Sequence, residues 1–287
     1  MTVTRRELVK DRALQVVWPK PWIAEEFEAA GVDVIRHLGL GPDPVIQRGP
    51  IWWSTVHAAS SYVAGHEVAL TAPNWVDLLR LPKDLFGRKV WVSTAQTLTE
   101  IEGLIAFVKS ADSKIDGPGT IGLAQVADVK EWAGDVLSLG VPRDTPVIVS
   151  DVVEWISEWR VWTDGLSVRE TSLYRTNRST WDEWPRISIQ EEGMDFAEEC
   201  VKAVAQPAVI DIGQFWCDDL IRWGIVETNP VWSSGPYTSD FSAIYDCIKA
   251  SYDWSRQEKG RPWSPDPWLL KLATKNLAKT NRPESKK

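Results

Sequence analysis

Along the chain, short apolar runs with a two-residue period alternate with stretches whose apolar positions recur every three or four residues, the pattern of strands interleaved with helices. Residues 13–18 read as a strand closed by Pro19 and Pro21, residues 22–31 as a short amphipathic helix ending at Gly31, and residues 32–35 as the next strand. That β-α-β order, taken up again from Pro44 to Gly49 and a helix or loop over 54–64, predicts an open α/β sheet over residues 1–86. A helical or loop connection at 76–85 leads to a strand over 87–93, a polar turn at 94–99, an apolar run at 101–108 and a turn-rich loop at 111–119. A helix over 128–139 and a buried strand at 146–150, running on into 151–153, complete a second unit, 87–153. The third unit, 154–252, opens with a hairpin whose strands, 158–165 and 166–174, turn at Asp164-Gly165. It continues with a helix at 195–204, strands at 208–213 and 223–229 around a turn at 217–219, and a helix at 241–251. The extension 253–287 holds a proline-containing segment, a helix at 268–277 and a charged tail expected to be disordered.

Composition narrows the class. With 44% apolar and 25% charged residues, the 287-residue chain is an ordinary globular protein with room for two lobes around a cleft. The net charge of -8 argues against a nucleic-acid-binding surface, and no apolar run approaches bilayer length, so neither nucleic acid nor membrane is an expected partner. Cys200, Cys217 and Cys247 have no metal-type spacing and are expected as reduced thiols, which with the missing signal peptide predicts a cytoplasmic protein. The 18 tryptophans follow no fixed period and read as core and cleft-wall fillers.

The candidate chemistry lies late in the chain. Side chains alternate across a strand, so Glu227 and Asn229 project from one face about 7 Å apart, and hairpin pairing brings Asp211 to that face. Two carboxylates and an amide oxygen suit a hard cation such as Mg²⁺, which takes oxygen ligands together with water and substrate phosphates. Acids also occur on the wet face of many strands, and that reading stays open. Against it, Asp211 and Glu227 interrupt the apolar runs of Val209, Ile210, Ile212, Ile225 and Val226, where an unpaired charge is costly.

Four segments in order, VIVSDVV (147–153), EWRVWTDG (158–165) with its return SLYR (172–175), VIDIG (209–213) and VETNPVWSSGPYTSD (226–240), carry a resemblance. The sequence resembles the ATP-grasp superfamily, and within it the clade of amide-bond-forming ligases named for two arginines and a lysine. The resemblance implies an N-terminal α/β lobe followed by two α+β subdomains clasping a nucleotide cleft. It implies ATP and Mg²⁺ as cofactors, with Asp211, Glu227 and Asn229 as metal ligands and Arg160 facing the phosphates or the acyl-phosphate intermediate. By the same resemblance, Ser150, Asp151, Val152 and Val153 match the hinge whose backbone meets adenine, and Glu158 matches the acid opening the next strand. The implied activity is an ATP- and Mg²⁺-dependent carboxylate-amine ligase acting through an acyl phosphate on small-molecule or peptide acids and amines. Oligomeric state is not encoded legibly.

One segment departs from that pattern. The family's strand before the hinge reads [FW]-[IV]-[KR]-P with a second lysine about six residues on, and Trp91-Val92-Ser93-Thr94, aligned there, puts Ser93 and Thr99 at the two cation positions. Lys89 lies on the same strand face as Ser93, displaced by about 13 Å, as the nearest replacement; Arg48, Lys114 and Arg175 are the others. Loss of phosphate cations would favour an alternative, an impaired ATP-grasp-shaped module that binds a nucleotide or a partner without turnover. Lys114-Ile115-Asp116-Gly117 fits the K-x-D-G of nucleotidyltransferases, but it sits in a turn-rich loop where Asp-Gly is expected anyway. His57 and His66 lack an acid-base partner at readable spacing and are taken as structural. Trp232, Ser233, Ser234 and Gly235 form either a small-residue loop admitting a substrate carboxylate or an ordinary turn before a helix.

Overall fold

A computed structural model of the chain describes residues 13–17, 21–37, 49–65, 70–111, 124–176, 189–237, 239–257, 259, 262–265 and 267–280. The first part is a parallel sheet of β1 (Leu14–Val17), β2 (Val34–His37) and β3 (Ile51–Trp53) in the order β2-β1-β3, with α1 (Trp22–Ala29) crossing between β1 and β2. The helix α2 (Thr55–Val63) follows, its first turn capped by Ser54. Of the strand expected at 44–49, residues 44–48 lie outside the described residues, and the described strand is Ile51–Trp53. A short helix α3 (Trp75–Arg80), closed by a capping box between Asn74 and Asp77, leads on.

Next comes an antiparallel sheet of β4 (Val90–Thr94), β5 (Ile105–Ser110), β6 (Ala124–Asp128) and β7 (Pro146–Ser150), in the order β4-β7-β5-β6. Its helices are α4 (Ala95–Leu98) and α5 (Val129–Ser138), the latter capped by Asp128. The strand β6 had no counterpart in the sequence reading. A second antiparallel sheet holds β8 (Trp155–Asp164), β9 (Val168–Thr176), β10 (Pro207–Cys217) and β11 (Leu220–Asn229) in the order β11-β10-β8-β9. The helix α6 (Glu191–Val204) precedes β10, and α7 (Phe241–Arg256) and α8 (Pro267–Thr280) end the described chain. The β10–β11 turn rests on Asp218 and Asp219, both at positive φ, the backbone of a two-residue hairpin loop. α8 extends to Thr280, past the expected start of the tail at 278.

Two apolar patches fix the larger sheet. Ile210, Ile212, Ile225 and Val161 pack on one side against Ala197, Cys200 and Val201 of α6. On the other side Trp162 and Val209 join Trp52, Trp232 and α7's Ile244 and Ile248. A fully buried side chain of this size contributes ~1.5–3 kcal/mol, so the strands are clamped over half of that second face. The remaining half carries the polar residues described below. Trp52, Trp162 and Trp232 are among the largest fully buried side chains, which fits the reading of tryptophan as core filler. Among the described residues no helix is long and apolar enough to cross a membrane. All three cysteines are free, and burial pushes the Cys200 and Cys247 thiols well up, which keeps them unreactive.

Candidate nucleotide and metal site

Register builds the acid cluster. Asp211 of β10 pairs with Glu227 of β11 on one side and with Arg160 of β8 on the other, and Val209 pairs with Asn229. Side chains in one row of an antiparallel sheet share a face. Asp211, Glu227, Asn229, Arg160 and Glu158 therefore stand together on the half-face left uncovered by α7. The expected convergence of the two acids and the amide is present: Asn229 Nδ2 donates to Asp211 Oδ2 at 3.0 Å and to Glu227 Oε1 at 2.9 Å. Asp211 is fully buried and Asn229 nearly so, which sets the wet-strand alternative aside.

The Arg160 guanidinium balances Asp211. Its Nε donates to Oδ1 at 2.8 Å and its Nη2 to Oδ2 at 2.7 Å, a bidentate fork. A third bond runs from Nη1 to the Gly235 carbonyl at 2.9 Å. Burial alone would lower the Arg160 pKa, but the charge and hydrogen bonds of Asp211 override it and the net shift is upward. Tyr174 and Tyr237 stack on each other with ring centroids 5.2 Å apart, and the guanidinium lies 5.3 and 4.8 Å from their rings.

Glu158 stands one row further along, buried. Its Oε2 accepts from the Tyr174 hydroxyl at 2.5 Å and its Oε1 from Arg175 Nη1 at 2.6 Å. Burial pushes its carboxyl above the usual range, with Tyr174 and Arg175 pulling it partly back. Burial, aided by the neighbouring carboxylates, keeps the Tyr174 phenol neutral.

A cation does reach the acids, but from another strand than the aligned segment. Lys109 of β5 reaches across from the smaller sheet and pairs with Glu227 Oε2. The row Val92–Ile148–Lys109 faces the larger sheet, whereas Ser93–Val147–Ser110 faces the helices α4 and α5. Ser93 therefore points away from the acids, and Thr99 caps α4 with its hydroxyl on the Gln96 carbonyl. The segment aligned with the family's cation strand, Trp91–Thr94, therefore brings neither Ser93 nor Thr99 to the acids. Phe107-Val108-Lys109 fits the same [FW]-[IV]-[KR] pattern, and that match was the signal available in the sequence. Lys89 is not brought to the acids either: its ammonium lies 4.9 Å from the ring of Trp91, which packs against the core under α4 and α5. Arg175 does reach the site, through Glu158, while Arg48, His66 and the segment from Lys114 to Gly117 lie outside the described residues.

The proposed hinge residues join the two sheets. Ser150 is buried at the end of β7, and Asp151 accepts at Oδ2 from the Lys89 backbone N–H and donates its own N–H to the Lys89 carbonyl. Val152 is exposed and Val153 half-buried on the way to β8. A second junction was not legible beforehand. Arg88 donates to the carbonyls of Phe86 at 3.2 Å and Ile225 at 2.7 Å and stacks on Trp155. Burial lowers its guanidinium to about 10, against the pull of Asp151 and Glu158, so it remains charged at neutral pH. Beside it, a Cβ on Gly224 would come 2.5 Å from the Phe86 carbonyl oxygen, and one on Gly87 2.7 Å from the Phe215 ring. Glycine at both positions lets these backbones touch.

The loop after β11 is mostly structural. Trp232 is buried with its indole N–H on the Thr71 carbonyl at 3.0 Å, and Ser234 bonds the Pro230 carbonyl at 2.7 Å. Gly235 and Tyr237 meet the site, both through Arg160. His57 is part of the Ser54 cap, and burial lowers its pKa, in keeping with a structural role.

Two antiparallel sheets facing each other across acids and cations define an ATP-grasp architecture. The family model of the ATP-grasp domain, for the second family of the clade named for two arginines and a lysine, matches residues 85–247, more than half of the chain, and the protein belongs to that family. No curated protein matches the sequence. Solved structures that resemble it include a RimK domain protein ATP-grasp from Sphaerobacter thermophilus, with a TM-score of 0.48 at 12% identity over 84% of this chain and 98% of that one. The D-alanine–D-alanine ligase of Bacillus anthracis gives 0.45 at 11% identity over 86% and 99%. The macrocyclase MdnC of Microcystis aeruginosa, bound with precursor peptide MdnA, gives 0.44 at 13% over 82% and 98%. The family assignment rests on the sequence match and not on these likenesses.

Proposed function

We propose that the protein is an ATP- and Mg²⁺-dependent carboxylate-amine ligase, and the observation that carries this reading is the facing of Asp211, Glu227 and Asn229 by Arg160 and Lys109 between two sheets. The donor set fits a hard cation: the amide of Asn229 lies within hydrogen-bond reach of both carboxylates. Asn229 presents its NH₂ to both acids here and offers Oδ1 instead once the amide turns over about its last torsion. When bound, Mg²⁺ would be held by Asp211, Glu227 and Asn229 and would supply neutralisation of phosphate charge there.

The chain's own groups have separable tasks. Three of the five N–H groups of Arg160 are used by Asp211 and Gly235, so two remain for an anion, and the bidentate fork fixes the guanidinium beforehand. Lys109 brings a second positive charge from the opposite sheet. In the proposed reaction the substrate carboxylate oxygen attacks the γ-phosphorus and ADP leaves. The amine then attacks the acyl carbon, phosphate leaves, and the ammonium proton passes to solvent. Charge builds on the phosphoryl oxygens in the first step, where fixed cations lower the barrier more than they stabilise the ground state. The hinge at Ser150, Asp151, Val152 and Val153 would hold adenine by its backbone.

Lys109 supports the ligase over the alternative of an impaired nucleotide- or partner-binding module, for which the absence of such a cation had argued. We place the protein in the cytoplasm, with small-molecule or peptide acids and amines as its substrates. Hydroxylamine as the amine tests the reaction without knowledge of the true one: across a panel of carboxylic acids, ADP release with hydroxamate formation is expected, dependent on Mg²⁺. ATP binding with neither product across the whole panel would overturn the ligase reading.

A further inference from the structure

Tyr237 has a backbone that tyrosine rarely adopts. Its φ of 50° lies in the left-handed region, where an L side chain crowds the following carbonyl and glycine is at ease. The residue is held there from its flanks: Ser239 donates its N–H to the Pro236 carbonyl at 3.1 Å, and the Ser239 hydroxyl accepts from Trp162 Nε1 of β8 and donates to Ser172 of β9. What the strain secures is the place of the ring. Its centroid lies 5.2 Å from that of Tyr174 and 4.8 Å from the Arg160 guanidinium, yet the residue stays 40% exposed, so core packing does not account for it. Strained residues of this kind cluster at ligand clamps.

Gly235 completes the setting. A Cβ there would lie 3.5 Å from Arg160 Nη1 and 3.7 Å from the Tyr237 ring, so this exposed glycine leaves a gap about one carbon wide beside the guanidinium. Position along β8 says what arrives there. Starting from the hinge at 150–153, the strand carries Glu158, Arg160 and Trp162 on one face in that order, and Trp162 holds Ser239. On the ligase reading, on which this inference rests, adenine lies at the hinge and the phosphates at Arg160, so Gly235 and Tyr237 stand on the far side of the phosphates, facing the acid that receives one. We propose that Gly235 and Tyr237 select the acid substrate, an aromatic carboxylate that enters over Gly235 and lays its ring against Tyr237. Each half of such a ligand has its match: the guanidinium's two unused N–H groups suit the carboxylate, and an exposed tyrosine ring favours an aromatic partner over a saturated one of the same size.

Phenylacetic and cyclohexylacetic acids, alike in shape and charge, are compared in the hydroxylamine assay with the full chain. The aromatic acid should show a kcat/KM about threefold to tenfold higher, the preference of one aromatic ring for another beyond the area it buries. Tyr237→Phe should keep that ratio, Tyr237→Leu should bring it to about one, and Gly235→Ala, which fills the gap, should lower kcat/KM for phenylacetic acid about tenfold. Equal use of the two acids by the unmodified chain, a preference that survives Tyr237→Leu, or full activity in Gly235→Ala would overturn the proposal. Hydroxamate from no acid at all defeats the ligase reading by itself, and a binding readout then decides this one. In protein carrying 3-fluorotyrosine at its five tyrosines, the ¹⁹F resonance assigned to Tyr237 by its loss in Tyr237→Phe should shift on addition of phenylacetic acid. A resonance that stays fixed up to about 20 mM acid, with and without Mg²⁺ and a non-hydrolysable ATP analogue, also overturns the proposal.

Discussion

Arg160 and Asp211 occupy one row of one sheet, at 3% and 0% exposure, and meet through two hydrogen bonds; Lys109 and Glu227 come from different sheets and retain 16% and 14%. The first pair is set by strand register and forms as the sheet forms. The second exists only when the sheets face each other. A buried bidentate pair is therefore part of the folded framework, and the strap between sheets is the part that can be exchanged for a ligand.

The largest expected effect follows from removing the framework anion. Asp211→Ala leaves the Arg160 guanidinium buried without its partner, at a cost of about 3–5 kcal/mol in denaturant unfolding. A loss below about 1 kcal/mol would show that the two pairs do not differ as described. Lys109→Met sharpens the contrast: stability should fall by only about 1 kcal/mol, while ADP release should fall by about 100-fold or more, as for loss of one fixed transition-state donor.

Glu158 supplies a smaller, pH-dependent effect. Its folded pKa is raised above 4.5 by burial, so its contribution to stability is present below that value and is lost as pH rises through the folded pKa. Glu158→Gln should flatten the decline of stability with rising pH in that window, and an unchanged slope would count against the burial effect. His57 has the opposite sign, being lowered from 6.5 by burial. Its contribution is present above 6.5 and lost as pH falls through the folded value, so His57→Gln should reduce the loss of thermal stability on acidification by a small margin.

Much of the acid cluster was legible because a strand's period of two makes register readable in sequence. Asp211, Glu227 and Asn229 stand in apolar runs, and a hairpin turn fixes which rows they join. Glu158 and Arg160 came from the resemblance, with the same alternation behind them. Lys109 was missed for a different reason. Two successive strands, β4 and β5, both read as apolar segments, and local pattern does not tell which face of a sheet meets another sheet. Lys89 and Lys109 differ mainly in that respect. Arg88 gave no signal at all, since its partners are carbonyls some 140 residues away, at Ile225 and Val226. Element type was better preserved than extent: α6 begins four residues before the expected Asp195, at Glu191, and tolerates Gly193 where a Cβ would strike Trp223.

The contact of Phe86, Gly87 and Arg88 with Gly224 and Ile225 has a mechanical consequence. The two junctions of the smaller sheet lie side by side, since Val90 pairs with Ser150 and Lys89 exchanges hydrogen bonds with Asp151, so the Phe86–Arg88 contact and the Ser150–Val153 passage form one edge. A plate joined along one such edge turns most easily about that line, so on the proposed reading a triphosphate entering the cleft would tilt the jaw that bears Lys109 and leave the jaw that bears Asp211 still. Any side chain at residue 224 would jam that axle.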